Sequence, residues 1–115
     1  MTAPCWSEVP EERLNDRMTR QVIHTETMTI ARLTMLAGAR VPLHQHPNEQ
    51  VSLIQSGRLR LRMSGEERDL GPGDIARIPP NVPHEFDTLE DTRVLDLFSP
   101  PREDWIRGDD AYLRG

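Results

Sequence analysis

His44-Gln45-His46-Pro47-Asn48-Glu49-Gln50, read together with Gly73-Asp74-Ile75-Ala76-Arg77-Ile78-Pro79-Pro80-Asn81-Val82-Pro83-His84, decides the fold of this 115-residue chain. Two histidines two residues apart in an extended segment share one face, because side chains alternate along a strand. Leu43 and Gln45 then point the other way. His84 follows a corner stiffened by Pro79, Pro80 and Pro83, on a strand remote from the first pair. Gln50 stands four residues beyond His46, after Pro47-Asn48 has redirected the chain. Glu49 competes with it, and by parity only one of the two faces the histidines; the seven-residue spacing to Gly57 favours Gln50. Three imidazoles and an amide oxygen suit one divalent transition metal: Zn, Ni, Mn or Fe. His24 fits no such pattern and reads as a surface or packing residue.

Working outward, ten prolines and seven glycines punctuate short segments, and none shows a sustained helical period. Residues 1–27 read as an N-terminal arm or edge strand anchored by Trp6 and Val9. A strand from Met28 to Met35 has Met28, Ile30 and Leu33 on its inward side, with Ala37-Gly38-Ala39 as the following turn. Val51 to Gln55 is a strand ending at Ser56-Gly57. Arg58 to Met63 alternates, with Leu59, Leu61 and Met63 inward and Arg58, Arg60 and Arg62 on a solvated outer face. Ser64-Gly65 is a hairpin turn before Glu67–Leu70. Ile75–Ile78 and Thr92–Phe98 are further strands. Many short strands with Gly/Pro turns make a β-sandwich or barrel, with its core in residues 28–99 and a tail in 100–115 that carries Trp105 and Tyr112.

Composition narrows the function. One domain is expected at this length. A net charge of −5 argues against general nucleic-acid binding. All 14 basic residues are arginine, which excludes a lysine Schiff base and a Walker-type phosphate lysine. Cys5 is the single cysteine, so no intrachain disulfide forms. No apolar run resembles a signal peptide or membrane span, and a cytoplasmic protein is expected.

These residues resemble the cupin superfamily. Its first motif, G-x5-H-x-H-x3-4-E-x6-G, is matched by Gly38, His44, His46, Gln50 in place of Glu, and Gly57. Its second, G-x5-P-x-G-x2-H-x3-N, is matched by Gly73, Pro79, Asn81 in place of Gly, His84, and Thr88 in place of Asn. The resemblance implies an all-β fold, the cupin double-stranded β-helix or jelly-roll barrel, and a homodimer formed through N-terminal and edge strands. Within small cupins, His-x-His-Pro-x-x-Gln and a tail like Asp96-Leu97-Phe98-Ser99-Pro100-Pro101-Arg102 look like the pectin-degradation cupins. Those proteins linearise 4,5-unsaturated galacturonate to a 4-deoxy-5-keto uronate. The resemblance implies that His44, His46, Gln50 and His84 hold the metal, and that Asp96, Phe98 and Arg102 form the substrate site. The chain departs from that group at Ser52, on the face of Gln50, where a second amide is expected.

The residues themselves agree in part. Asp96 and Phe98 share one face of an otherwise apolar strand, so Asp96 is a candidate general acid or base, with a turn cap or salt bridge as the alternative. Arg102 suits a bidentate pair with a substrate carboxylate, or with Glu103 or Asp104. Ser52, Phe86 and Phe98 are candidate substrate-contact or pocket-wall residues. The expected activity is metal-assisted isomerisation or hydration of an unsaturated sugar acid. Alternatives are an Fe(II) dioxygenase, a polyketide-type cyclase or lyase, and a non-catalytic small-molecule-binding cupin. The last usually carries a DNA-binding segment, and no helix-turn-helix or basic tail is seen after the barrel.

Overall fold

A computed structural model describes residues 4–114. After a short 3-10 turn at Trp6–Glu8 come eight strands: β1 Glu12–Asn15, β2 Met18–His24, β3 Thr29–Met35, β4 Arg40–His44, β5 Glu49–Met63, β6 Glu66–Leu70, β7 Ile75–Ile78 and β8 His84–Ser99. Two one-turn helices, α1 Glu103–Ile106 and α2 Ala111–Arg114, follow. Every strand pairing is antiparallel.

Strands β5 and β8 are long and belong to both walls of the barrel. The second half of β8 pairs with β3 and with the first half of β5, which also pairs with β7. The first half of β8 pairs with β4 and with the second half of β5, which also pairs with β6. The crossing point on β5 is Gly57. Its φ is +84°, where a side chain is strained. A Cβ there would also clash with the Asp91 carbonyl oxygen. The bulge around Gly57 shifts the register and turns the strand from one wall to the other. The sequence reading of two strands separated by a turn is therefore corrected: Val51–Gln55 and Arg58–Met63 are one bent strand. Likewise His84 and Thr92–Phe98 share β8 rather than lying on separate strands.

The inward face of β3 is also corrected. Thr29, Ala31, Leu33 and Met35 are buried, while Met28 and Ile30 are half-buried on the opposite parity. The polar Thr29 is tolerated inside because its hydroxyl serves two partners, His24 Nδ1 at 2.7 Å and the Arg102 backbone N–H at 2.8 Å. Leu33, Met35, Val41, Ile54, Leu59, Leu61, Ile78, Phe86, Val94 and Phe98 fill the core. At the N-terminus, Leu14 and Met18 are the buried anchors, whereas Trp6 and Val9 are only half-buried. Met63 is half-buried. Arg58, Arg60 and Arg62 form the expected outer stripe, paired with Asp69, Glu67 and Asp87 of the neighbouring strands. Among the described residues no helix is long and apolar enough to cross a membrane.

Candidate metal centre

Strand pairing brings the site together. His44 ends β4 and His84 begins β8, and the two are cross-strand partners. His46 lies in the connection that follows, and Gln50 enters β5 opposite Phe98. Ser52 and Asp96 face each other one rung deeper. Both walls thus contribute at one end of the barrel. One nitrogen from each of His44, His46 and His84 lies within 4.8 Å of the others. His46 and His84 are buried and His44 is half-buried. Gln50 is buried and Glu49 exposed, so the parity choice between them falls on Gln50.

The hydrogen bonds define which nitrogens are free. Each histidine donates Nδ1–H to a carbonyl: His44 to Pro42 at 2.8 Å, His46 to Asn48 at 3.1 Å and His84 to Val82 at 2.8 Å. A carbonyl only accepts, so the proton sits on Nδ1 and each Nε2 keeps a lone pair. Burial pushes all three histidines below their usual value, His44 and His46 to about 4, and so keeps the rings neutral. His84 Nε2 is then a buried acceptor with no partner among the described residues. His46 Nε2 lies 3.0 Å from Gln50 Oε1, one acceptor facing another. The amide orientation follows from its Nε2, which donates to Ser52 Oγ at 3.0 Å. An orphaned nitrogen and two opposed lone pairs are what a shared cation corrects, and the donor set fits a first-row divalent ion.

A polar chain leads from this cluster to Asp96. Ser52 Oγ accepts from Gln50 and donates to Asp96 Oδ1 at 2.6 Å. Ser52 thus links the amide to the carboxylate across the two strands.

The family model described as "Cupin domain" matches residues 31–98. The chain belongs to the cupin family. Among solved structures it is similar to KdgF from Halomonas sp., at 30% identity and a TM-score of 0.80, covering 86% of this chain and 94% of that one. It is also similar to an RmlC-like cupin from Shewanella frigidimarina, at 25% identity and a TM-score of 0.83, covering 89% and 93%. Among curated proteins, dimethylsulfoniopropionate lyase DddQ of Ruegeria pomeroyi is 40% identical over 57 residues, 49% of this chain. The matched segment spans only 28% of that lyase.

In this cupin, Arg102 is not free as a single exposed arginine would be. It is buried, and its Nε and Nη2 form a bidentate pair with Asp104 at 2.9 and 2.8 Å. Its Nη2 also donates to the Tyr112 hydroxyl at 2.8 Å. The guanidinium stacks 4.7 Å from the Phe98 ring centre and 4.2 Å from Trp105. Of the partners weighed from sequence, Asp104 is the one it meets here. Arg102 nevertheless lines the cavity beside the histidines, together with His44, Gln50, Ser52, Phe86, Asp96 and Phe98. Phe86 and Phe98 are buried, packing edge-on against His84 and His46 respectively. His24 is exposed and bonded to Thr29, as a surface residue.

Two contributors escaped sequence reasoning. Asn48 is buried; its carbonyl orients His46, and its amide donates to the Pro100 and Pro101 carbonyls, tying the metal loop to the tail. Its place between His46 and Gln50 was the available signal. Tyr112 stacks on His44 with ring centres 4.7 Å apart, a contact without a sequence signal.

Burial pushes the Asp96 carboxyl up to about 6, against the lowering pull of Ser52, Arg102 and Gln50. The folded metal-free protein therefore holds this proton more tightly than the unfolded chain does. The resulting stability is present in full below pH 4 and is lost as pH rises through about 6. A rise from 3.8 to about 6 corresponds to about 3 kcal/mol. Asp96→Asn is expected to make the metal-free protein more stable than wild type at pH 7 by up to that amount, with the gain shrinking toward pH 4. Urea unfolding at both pH values measures it, and a gain equal at both would contradict the burial of the charge.

Proposed function

We propose that this cupin is a metal-dependent enzyme that linearises an unsaturated uronate, taking a 4,5-unsaturated ring to a 4-deoxy-5-keto acid. The observation that supports the reading is the hydrogen-bonded chain Gln50–Ser52–Asp96, with one buried carboxylate at its end and the three-histidine cluster at its start, in an apolar barrel. The motif resemblance to the pectin-degradation cupins and the likeness to KdgF support the choice of substrate. His44, His46, His84 and Gln50 would hold a divalent ion, which, when bound, polarises substrate oxygen atoms and stabilises negative charge that develops on them. With four neutral ligands the ion keeps its full charge for that purpose.

Asp96 Oδ1 is committed to Ser52, which leaves Oδ2 to carry the proton. As the carboxylate, it takes the proton of the anomeric hydroxyl while the ring C–O bond breaks to leave an aldehyde and an enolate, and it returns that proton to the alkene carbon as the enolate becomes the ketone. Arg102 holds the substrate carboxylate through nitrogen–hydrogens not committed to Asp104, and Phe86 and Phe98 wall off water. The test follows loss of the alkene absorbance of an unsaturated uronate with metal-loaded protein, with and without a chelator. Catalysed loss that stops on chelation and returns on metal addition is expected. A rate equal to the spontaneous one would remove the assignment.

The DddQ match favours a second reading, a lyase acting on a small carboxylate through the same base. Offering dimethylsulfoniopropionate in the same assay separates the two.

A further inference from the structure

The cavity beside the histidines measures about 30 Å³, room for a water or two, whereas pockets for small ligands occupy roughly 300–1,000 Å³. Its wall opposite the barrel is the C-terminal segment: Arg102, Trp105, Tyr112 and Leu113. A second hollow of about 320 Å³ lies on the outside, lined by Asn15, Arg40, Pro42, Leu43 and Glu85 together with the same Tyr112 and Leu113. These two residues are the partition between the metal centre and an open surface depression.

The tail is anchored on both sides of that partition. Trp105 lies between the guanidiniums of Arg20 and Arg102, at 4.4 and 4.2 Å, and packs edge-on against Phe98. Buried Asp110 pairs with Arg20 at 2.8 Å and with Arg114 at 2.9 Å. Beyond Asp110 the Leu113 side chain is buried in the core and Arg114 pairs with Asp110 and Glu12, so the half-buried Tyr112 ring is the least anchored part of the partition. The Tyr112 ring stacks on His44, its hydroxyl accepts from Arg102 Nη2 and from Trp105 Nε1 at 3.2 Å, and the Leu113 carbonyl accepts from Asn15 at 2.8 Å. Stacking of this kind contributes on the order of 1 kcal/mol, so displacement of the ring is cheap beside unfolding.

We infer that Tyr112 and Leu113 form a gate between the metal centre and the outer hollow, and that the hollow is the vestibule through which metal and substrate reach the histidines. Swinging the phenol outward joins the two spaces into a cleft of substrate size. It also releases one Nη2 hydrogen of Arg102 from the Tyr112 hydroxyl, so opening makes an extra donor available for a carboxylate. Gate and anion clamp are thereby coupled through one hydrogen bond. The inference rests on the metal centre described above but not on the identity of the substrate.

Stopped-flow uptake of Zn(II) by the metal-free protein, and its extraction by EDTA, test the gate in wild type, Tyr112→Phe and Tyr112→Ala. A gate predicts that Tyr112→Ala speeds uptake and extraction alike, by about tenfold or more, with the equilibrium Kd within about threefold of wild type. Tyr112→Phe keeps the ring on His44 but loses the latch, and a smaller parallel rise in both rates is expected. Should Tyr112→Ala fail to fold, Tyr112→Phe decides alone. Faster extraction with unchanged uptake would mean that Tyr112 only braces His44, and unchanged rates would mean that it does neither; both overturn the gate while leaving the metal centre intact. Wild type that takes up no Zn(II) overturns both.

Discussion

His84→Ala is expected to abolish stable metal binding. His84 is fully buried, its Nδ1 is held by the Val82 carbonyl, and its Nε2 has no partner among the described residues. It is therefore a pre-aimed lone pair, free among the described residues to take an ion. Loss of an outer partner that merely orients a ligand costs about 10–100-fold in affinity; loss of the ligand itself should cost more than about 100-fold. The metal-free variant should stay folded, because the substitution removes an unsatisfied buried polar atom along with the ring packing. The effect is then visible as a lost thermal shift. A ligand at a thousand times its Kd stabilises the folded state by about 4 kcal/mol, and this increment should be present in wild type and absent in His84→Ala. His24→Ala is the control: His24 is exposed, bonds Thr29 away from the histidine cluster, and should leave metal content unchanged. Metal content by elemental analysis equal in wild type and His84→Ala would contradict the ligand set.

Asp96→Asn is expected to lower kcat for uronate ring opening by about 10²–10⁴-fold, the range for loss of a positioned acid–base group. Metal affinity should hardly change, because Asp96 reaches the cluster only through Ser52 and Gln50. The asparagine keeps the shape and accepts from Ser52 but cannot shuttle a proton. Combined with the gain in metal-free stability at pH 7, this makes Asp96 a residue that destabilises the fold at neutral pH while carrying the chemistry. A variant retaining near wild-type kcat would remove Asp96 from its role and leave only the structural part of the reading.

Much of this was legible in the sequence because it depended on strand parity. Glu49 against Gln50 and Asp96 with Phe98 are decided by alternation, and the described geometry follows it; His46 joins His44 from the connection just past the end of β4. The cupin barrel was legible for the same reason, since Gly and Pro mark its turns. Parity fails where tertiary partners satisfy a polar residue inside. Thr29 is buried because Arg102, distant in sequence, and His24, its cross-strand partner at the end of β2, use its hydroxyl, and hydropathy alone put Met28 and Ile30 inward instead. The join within β5 was missed because Gly57 reads as a turn, whereas here its positive φ bends a continuous strand. The tail was illegible for a third reason. Helices of four residues carry no periodic signal, and α1 and α2 are seated by contacts made elsewhere: Trp105 between two arginines, Asn48 on the Pro100 and Pro101 carbonyls, Asp110 on Arg20. For Arg102 the sequence left a substrate carboxylate and a nearby acid both open, because nothing in sequence says whether Asp104, two residues on, folds back to meet it as it does here.

The most direct measurement is anomalous X-ray scattering from crystals soaked in Zn(II) or Ni(II), recorded on both sides of the metal absorption edge. One strong peak is expected inside the barrel, within about 2.0–2.3 Å of the Nε2 atoms of His44, His46 and His84 and of Gln50 Oε1. A map without that peak, or with one bound through Nδ1 or through Glu49 on the outer face, would contradict the metal centre and everything argued from it.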